Sequence, residues 1–291
     1  MPSRLLKTGL LTVCSAVNLI LPAQAGTLSS PLPGPAKRII SLSPHSTELL
    51  FSAQAGKYLA GVSQGSDFPP AALDIQGVGD SLRPNIELLL GLNPDLIVTW
   101  SSGGNAIEAL KQAEKAVPVL YLYPKKLADI TADLEQIAKL AGTQKQTVPL
   151  INELSRIIRR TQEKYRHQPA VPIFVFLGEH PLFTLGGSPI LNDVLKSCGA
   201  YNIFQDIKAP SPIVSLESII QRQPKMILAG SSVTGKKEEI QDFFNTRGFS
   251  YLPEDIITLP PDILFRPTER LIRALPELCQ AIEQARNRYT N

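Results

Sequence analysis

The chain has 291 residues, of which 43% are apolar and 19% are charged, and its formal net charge is +3. This length allows two small domains or one large one, and the composition describes a folded globular protein and excludes an intrinsically disordered one. The small net charge gives the protein no general attraction for nucleic acid or for an acidic surface.

Residues 1–25 have the layout of a secretory signal peptide. Arg4 and Lys7 form a positive start, residues 10–21 form an apolar run, and Ala23-Gln24-Ala25 forms a small-residue cleavage site. The apolar run is too short to span a membrane. We therefore expect export with cleavage after Ala25. Loss of two basic residues and no acidic ones would take the net charge from +3 to +1.

The cysteines fit an exported protein. Cys14 lies within the signal peptide, and lipid attachment there, as in a lipoprotein, is the alternative to cleavage after Ala25, although Val13 is bulky where a small residue is needed. Removal of the signal peptide leaves only Cys198 and Cys279. An oxidising compartment favours a disulfide between them, and two buried thiols are the alternative.

The first half of the mature chain alternates between strand and helix patterns. Residues 26–37 are rich in Pro, Gly and Ser and predict a loose leader, and the paired prolines within residues 67–70 predict a loop. The predicted strands are 38–43, 59–62, 95–100 and 117–122, and the predicted helices are 48–52, 85–92, 105–115 and 127–141.

A single long amphipathic helix is predicted over residues 146–168. Its apolar residues follow the three-and-four spacing of one helical face, at Val148, Ile151, Leu154, Ile158 and Tyr165. We interpret it as a stiff connection between two lobes. The alternative is an ordinary helix packed inside one domain.

The alternation resumes after this helix. The predicted strands are 171–177, 225–230 and 256–259, and the predicted helices are 190–197, 216–222, 237–245 and 267–288. Strands that alternate with helices of this length indicate an α/β fold with parallel sheets. We therefore expect an N-terminal lobe at 38–143, a linking helix at 144–169 and a C-terminal lobe at 170–291.

An internal repeat supports two lobes. Residues 85–100 and 215–230 align without gaps and share their apolar positions. Both copies also have a polar residue suited to a helix N-cap, a glutamate two positions later, and a proline before the strand. The corresponding pairs are Asn85 with Ser215, Glu87 with Glu217, and Pro94 with Pro224.

The sequence motifs and residue spacings give little support for a catalytic or metal site. The three histidines are far apart in sequence, no serine lies in a G-x-S-x-G turn, and no spacing matches a zinc site. The sequence of residues 230–237 is close to the G-x-x-x-x-G-K-[ST] pattern of a phosphate-binding loop, but Lys237 occupies the position of the hydroxyl residue that binds magnesium. The sequence therefore predicts no enzyme, no cofactor and no metal, with a secreted α/β hydrolase as a remote alternative.

The residues that follow the predicted strands favour a ligand-binding site over a catalytic one. Ligands of parallel sheets bind beyond the carboxyl ends of the strands. His45, Trp100 and Asn105 follow predicted strands in the first half, and Asp262 and Arg266 follow the last strand of the second half. Trp100 is the only tryptophan, and its ring could stack on a large flat ligand.

From residue 38 to the last helix, the chain resembles the periplasmic cobalamin-binding proteins that supply an ABC importer. The matching stretches are 38–44 with Thr47 and Glu48, 61–63 with 66–70, 94–98 with Trp100 and 103–106, 202–204, Val214-Ser215 with Glu217, and the pair Cys198 and Cys279.

The resemblance implies a class III binding-protein architecture, in which two parallel-sheet lobes are joined by one long rigid helix. It implies a periplasmic monomer that holds cobalamin in the inter-lobe cleft, and a disulfide between Cys198 and Cys279. It also implies that Glu87 and Glu217 dock on the permease, which works with its ATPase. The implied ligand-binding residues are His45, Phe68, Trp100, Asn105, Phe183, Asp262 and Arg266.

The sequence departs from the family pattern in the cleft. Phe68 replaces a tyrosine and lacks its hydroxyl, and Ser81, Ser211 and Ile263 stand where other aromatic residues are expected. The reduced stacking surface keeps haem and a ferric siderophore as alternative ligands. His45 could coordinate a metal centre or only donate a hydrogen bond.

Overall fold

The computed structural model describes residues 25–80, 83–100, 117–230 and 237–290. The predicted helix at 105–115, with Asn105, and Ser81 lie outside these residues. The prediction of an α/β fold with two parallel-sheet lobes and one long helix between them is confirmed.

Five strands form the first sheet. They are β1 (Thr27–Leu28), β2 (Ile39–Ser41), β3 (Leu59–Val62), β4 (Leu96–Trp100) and β5 (Val119–Leu122). Their order across the sheet is β1-β5-β4-β2-β3, and each pair runs parallel except β1 with β5. Helices α1 (Pro44–Ser52), α2 (Ile86–Gly91) and α3 (Leu127–Ala141) complete what we term the first lobe.

The second lobe is built on a parallel sheet of four strands in the order β11-β10-β6-β9. These strands are β6 (Val171–Phe176), β9 (Ala200–Asn202), β10 (Met226–Gly230) and β11 (Ile256–Leu259), and a separate antiparallel hairpin joins β7 (Gly178–Glu179) to β8 (Leu182–Phe183). Its helices are α5 (Pro189–Ser197), α6 (Leu216–Arg222), α7 (Lys237–Asn245), α8 (Pro261–Leu264) and α9 (Glu269–Thr290).

The long helix α4 (Gln144–Tyr165) connects the lobes and packs against both α3 and α9. Its buried residues include Leu154, Ile158 and Tyr165, as the periodicity predicts. Val148, predicted on the same face, is 48% exposed. Thr147 is buried instead, because its hydroxyl donates to the carbonyls of Ala53 and Thr143 and so loses no hydrogen bond on burial.

The strands explain how the lobes share one core. Successive side chains of a strand point to opposite faces of its sheet. In β6, Ile173 and Val175 join a cluster that also contains Leu154 of α4, Ile39 of β2 and residues of α3 and α9. Phe174 and Phe176 point the other way, into a separate cluster of the second lobe. One face of each sheet is therefore buried in a core common to both lobes.

The segment at 26–37 differs from the predicted loose leader. Thr27 and Leu28 pair with β5, and the hydroxyl of Ser29 accepts a hydrogen bond from the Val119 amide at 2.8 Å. Ala36 is buried. The proline-rich composition correctly excludes a helix here. It does not reveal that the first residues of the segment add a strand to the sheet edge.

A disulfide joins Cys198, at the carboxyl end of α5, to Cys279 within α9, with a Cα–Cα distance of 4.7 Å. Both residues are fully buried. The predicted pairing is confirmed, and it closes a sequence separation of 81 residues within the second lobe.

Candidate functional site

The carboxyl ends of β2 and β4 bring His45 and Trp100 together. After β2 the chain turns at Ser43, whose hydroxyl accepts a hydrogen bond from the Ser46 amide and so begins α1. This cap holds His45 in the first helical turn beside the last residue of β4. The rings of His45 and Trp100 meet edge to face, with centroids 4.3 Å apart and an interplanar angle of 85°.

Tyr123 extends this aromatic pair. Its ring centroid lies 6.2 Å from that of Trp100, again edge to face, and its side chain is 48% exposed. Tyr123 is not among the site residues predicted from the sequence. The signal was present, because Tyr123 directly follows β5 and the carboxyl ends of β4 and β5 meet at one edge of the sheet.

His45 is a neutral imidazole. It is 4% exposed, and its Nε2 has no hydrogen-bond partner among the described residues. Burial, together with the nearby positive charge of Arg266, lowers the pKa of His45 from 6.5 to about 3. The ring is therefore uncharged at every physiological pH and keeps one nitrogen lone pair free of protons.

A buried carboxylate joins the two lobes beside His45. Glu48 of α1 has a side chain that is 1% exposed and lies between Arg266 and Arg270 of the second lobe. Arg270 binds both carboxylate oxygens, with Nη2–Oε1 at 2.7 Å and Nε–Oε2 at 3.0 Å, and Arg266 Nη1 reaches Oε1 at 2.9 Å. This charge-assisted network satisfies a carboxylate that would otherwise be costly to bury.

The same arginines also bind groups nearer the surface. Arg266 donates to the carboxylate of Asp67 at 2.7 Å, and this hydrogen bond lowers the pKa of Asp67. Arg270 donates to Asp262 at 2.6 Å, and its guanidinium lies 4.0 Å above the ring of Phe68. Phe68 is partly exposed. The predicted residues Asp262 and Arg266 are thus partners in an inter-lobe network.

The structure brings together five of the predicted ligand-binding residues through these contacts: His45, Phe68, Trp100, Asp262 and Arg266. Phe183 lies on β8 of the second lobe, where it pairs with Gly178 and forms a bridge with Ile213. Asn105 lies outside the described residues. Glu48 and Arg270 were missed as site residues because their importance depends on contacts more than 200 residues apart in the chain.

The two glutamates of the internal repeat occupy equivalent places. Glu87 lies in the first turn of α2, where the Asn85 side chain accepts from the Leu88 amide, and Glu217 lies in the first turn of α6, where Ser215 accepts from the Ser218 amide. Both glutamates are exposed. The predicted N-caps are confirmed in both copies, so the repeat is structural.

Within the ranges that the structure covers, no helix is long and apolar enough to cross a membrane. In the same ranges, no three His, Cys, Asp or Glu side chains form a group that could hold a metal ion.

The chain is similar to known binding proteins. The family model described as "Periplasmic binding protein" matches residues 39–253. A "Vitamin B12-binding protein" of Vibrio campbellii is 35% identical over 196 residues, which cover 67% of this chain and 71% of that protein.

Solved structures extend the similarity to the whole fold. The periplasmic vitamin B12 binding protein BtuF of Vibrio cholerae has a TM-score of 0.77 at 29% identity and covers 87% of this chain and 99% of its own. The periplasmic haem-binding protein HutB of the same organism has a TM-score of 0.70 at 19% identity, covers 84% and 98%, and shows the fold alone. With the family model matching most of the sequence, this chain belongs to the periplasmic binding protein family.

Proposed function

We propose that this protein is a non-enzymatic solute-binding protein of the periplasm. It captures cobalamin or a related corrinoid between its lobes and delivers it to an inner-membrane ABC permease and its ATPase. The relative at 35% identity and the structural neighbour at 29% identity are both named for vitamin B12 binding. The signal peptide predicted at residues 1–25 supports export.

The aromatic edge formed by Trp100 and Tyr123 is the observation that carries the ligand assignment. It lies where parallel sheets bind ligands, and Phe68 presents a third partly exposed ring on the arginine network nearby. Tyr123 supplies stacking surface that Ser81, Ser211 and Ile263 do not. A corrin ring is large and flat, and burial against aromatic side chains would drive its binding.

His45 favours haem as the second candidate ligand. A neutral imidazole is a common metal ligand, and His45 stays neutral down to a pH of about 3. Its Nε2 is buried and has no hydrogen-bond partner among the described residues, so coordination through that atom requires the atom to become accessible to the ligand.

Calorimetric titration of the processed protein tests the ligand directly. Cyanocobalamin, haemin and a ferric siderophore are compared, and we expect micromolar or tighter binding of cyanocobalamin only. Trp100→Ala should weaken that binding at least about tenfold through loss of stacking. Tyr289→Ala, at a partly exposed ring on α9, is the matched control and should bind as the native protein does. Tight binding of haemin with none of cyanocobalamin would reject the assignment.

Permease docking is proposed for Glu87 and Glu217. Helices of α/β units run antiparallel to the strands they precede, so the first turns of α2 and α6 lie toward the carboxyl edges of their sheets, one on each lobe. Two exposed acidic groups in equivalent positions suit a membrane partner that presents two basic sites.

The double variant Glu87→Ala with Glu217→Ala tests docking. We expect weaker association with the permease and lower cobalamin uptake, with unchanged affinity for free cobalamin. Glu163→Ala, at an exposed position on α4, is the matched control. Uptake by the double variant at the native rate would reject this role.

A further inference from the structure

A buried aspartate lies beside the predicted processing site. Asp133 of α3 is 1% exposed, and its Oδ2 has no hydrogen-bond partner among the described residues. Burial raises the pKa of Asp133 to about 7, and the nearby carboxylate of Asp129 adds to this effect. Ion pairs within the described ranges include none with Asp133. A carboxylate buried without a positive partner is costly.

The group that faces Asp133 is the backbone nitrogen of Gly26. Its N–H donates to Asp133 Oδ1 at 2.8 Å. Gly26 is the residue immediately after Ala25, where the small-residue motif predicts cleavage. Position 26 is also sterically restricted, because a Cβ there would lie 2.5 Å from the Tyr121 carbonyl oxygen and 2.8 Å from Leu122 Cδ2.

We propose that cleavage after Ala25 creates an ion pair between the new α-ammonium group of Gly26 and the buried carboxylate of Asp133, and that this pair fastens β1 to the first lobe. Water hydrolyses the Ala25–Gly26 peptide bond under the action of a signal peptidase. The Ala25 carbonyl carbon gains the oxygen and leaves as a carboxylate on the leader. Gly26 gains the hydrogens and becomes an ammonium group at neutral pH.

The chemistry explains why Asp133 is buried where it is. In the precursor, the Gly26 nitrogen has a single N–H and no charge. After cleavage the same nitrogen has three N–H donors and a positive charge, so it can neutralise the carboxylate and leave donors for the oxygen that has no partner. Cleavage one residue earlier or later would place the ammonium elsewhere. The mature form should therefore be more stable than the precursor.

This inference rests on the export part of the proposed function and is independent of the ligand. It is tested with chains freed from a fusion partner by a protease, so that the first residue is either Gly26 or Ala25. We expect the additional residue to lower the equilibrium constant for folding about tenfold, as measured by urea denaturation, because it removes a charge-assisted hydrogen bond.

Two backgrounds isolate the pair. In Asp133→Asn the chains starting at Ala25 and Gly26 should differ by less than about twofold, because the charged partner is gone. Asp193 is partly buried and, like Asp133, accepts a hydrogen bond from a backbone amide, in this case that of Leu127. In Asp193→Asn the tenfold difference should persist. Nα-acetylation of the chain starting at Gly26 should reproduce the loss without any change of sequence.

The proposal is overturned if the mass of the periplasmic protein shows a first residue other than Gly26. It is also overturned if the additional residue lowers the equilibrium constant for folding by the same factor in the native and Asp133→Asn backgrounds. Cyanocobalamin affinity, measured on the chains starting at Gly26 and Ala25, should be equal. A failure to bind cobalamin would thus reject the ligand assignment and leave the ion-pair proposal unaffected.

Discussion

His45 shows how a single buried residue makes stability depend on pH. In the folded protein its ring takes up a proton only near pH 3, whereas in the unfolded chain it does so near pH 6.5. Between these values the unfolded state binds more protons, so the free energy of unfolding falls as the pH falls.

Replacement of His45 by Gln should remove this contribution. We expect His45 to lower the free energy of unfolding of the native protein by about 1.4 kcal/mol for each pH unit that the pH falls between 6.5 and 3. The variant should lack this part of the pH dependence. Urea denaturation at a series of pH values measures the slopes. The same substitution at exposed His180 controls for the general effect of removing an imidazole. Equal slopes for His45→Gln and the native protein would contradict the prediction.

Glu48 is the residue on which the inter-lobe network depends. Glu48→Gln keeps the shape of the side chain but leaves Arg266 and Arg270 facing each other without the central negative charge. Removal of one partner from a buried charge network should lower the free energy of unfolding by about 3 kcal/mol, as measured by urea denaturation.

A surface pair provides the control for Glu48. Glu153→Gln breaks an ion pair with Arg273 in which both side chains are 43% exposed, and solvent screening should make its effect much smaller. If Glu48→Gln cost no more than Glu153→Gln, the network would not stabilise the contact between the lobes.

Among the elements of the second lobe, α5 and α9 are joined covalently by the Cys198–Cys279 disulfide. Its loop is long, so the chain-entropy model predicts a large effect on the unfolded state. The variant Cys198→Ala with Cys279→Ala should lose about 4 kcal/mol in the free energy of unfolding. Native protein treated with a reductant should approach the melting temperature of the variant. An unchanged melting temperature in the variant would contradict the prediction.

At the scale of the whole molecule, three features hold the lobes together. Residues from both lobes share one buried cluster, helix α4 packs on α3 and α9, and the arginine network joins α1 to the second lobe. A large hinge motion would expose apolar surface and separate buried charges. We therefore expect the lobes to move by less than about 1 Å on ligand binding, as in other pre-organised proteins.

Spin labels on each lobe measure this motion. Leu73→Cys in the first lobe and Ile220→Cys in the second both replace exposed side chains, so labelling should not disturb the core. The distance distribution between the labels should be nearly unchanged by cobalamin, and each single-label variant serves as a control. A shift of several ångströms would show a hinge motion that these contacts do not prevent.

The sequence by itself determined the elements whose signals are local. Helix α4 follows from its periodicity, the N-caps Asn85 and Ser215 from residue type, and the disulfide from the two cysteines that remain after the leader. The placement of His45 and Trp100 at the carboxyl ends of β2 and β4 follows from the predicted order of strands and helices. In each case the residues that carry the signal lie within one element or obey a general rule of sheets.

Only the tertiary structure decided the features that depend on distant partners. Strand β1 forms because its backbone meets β5 almost a hundred residues later in the chain, and Thr147 is buried because a carbonyl of the first lobe accepts its hydroxyl. Glu48 and Arg270 become one network only when the two lobes meet. Asp133 meets the backbone N–H of Gly26 in the same way, because this hydrogen bond joins residues 107 positions apart in the chain.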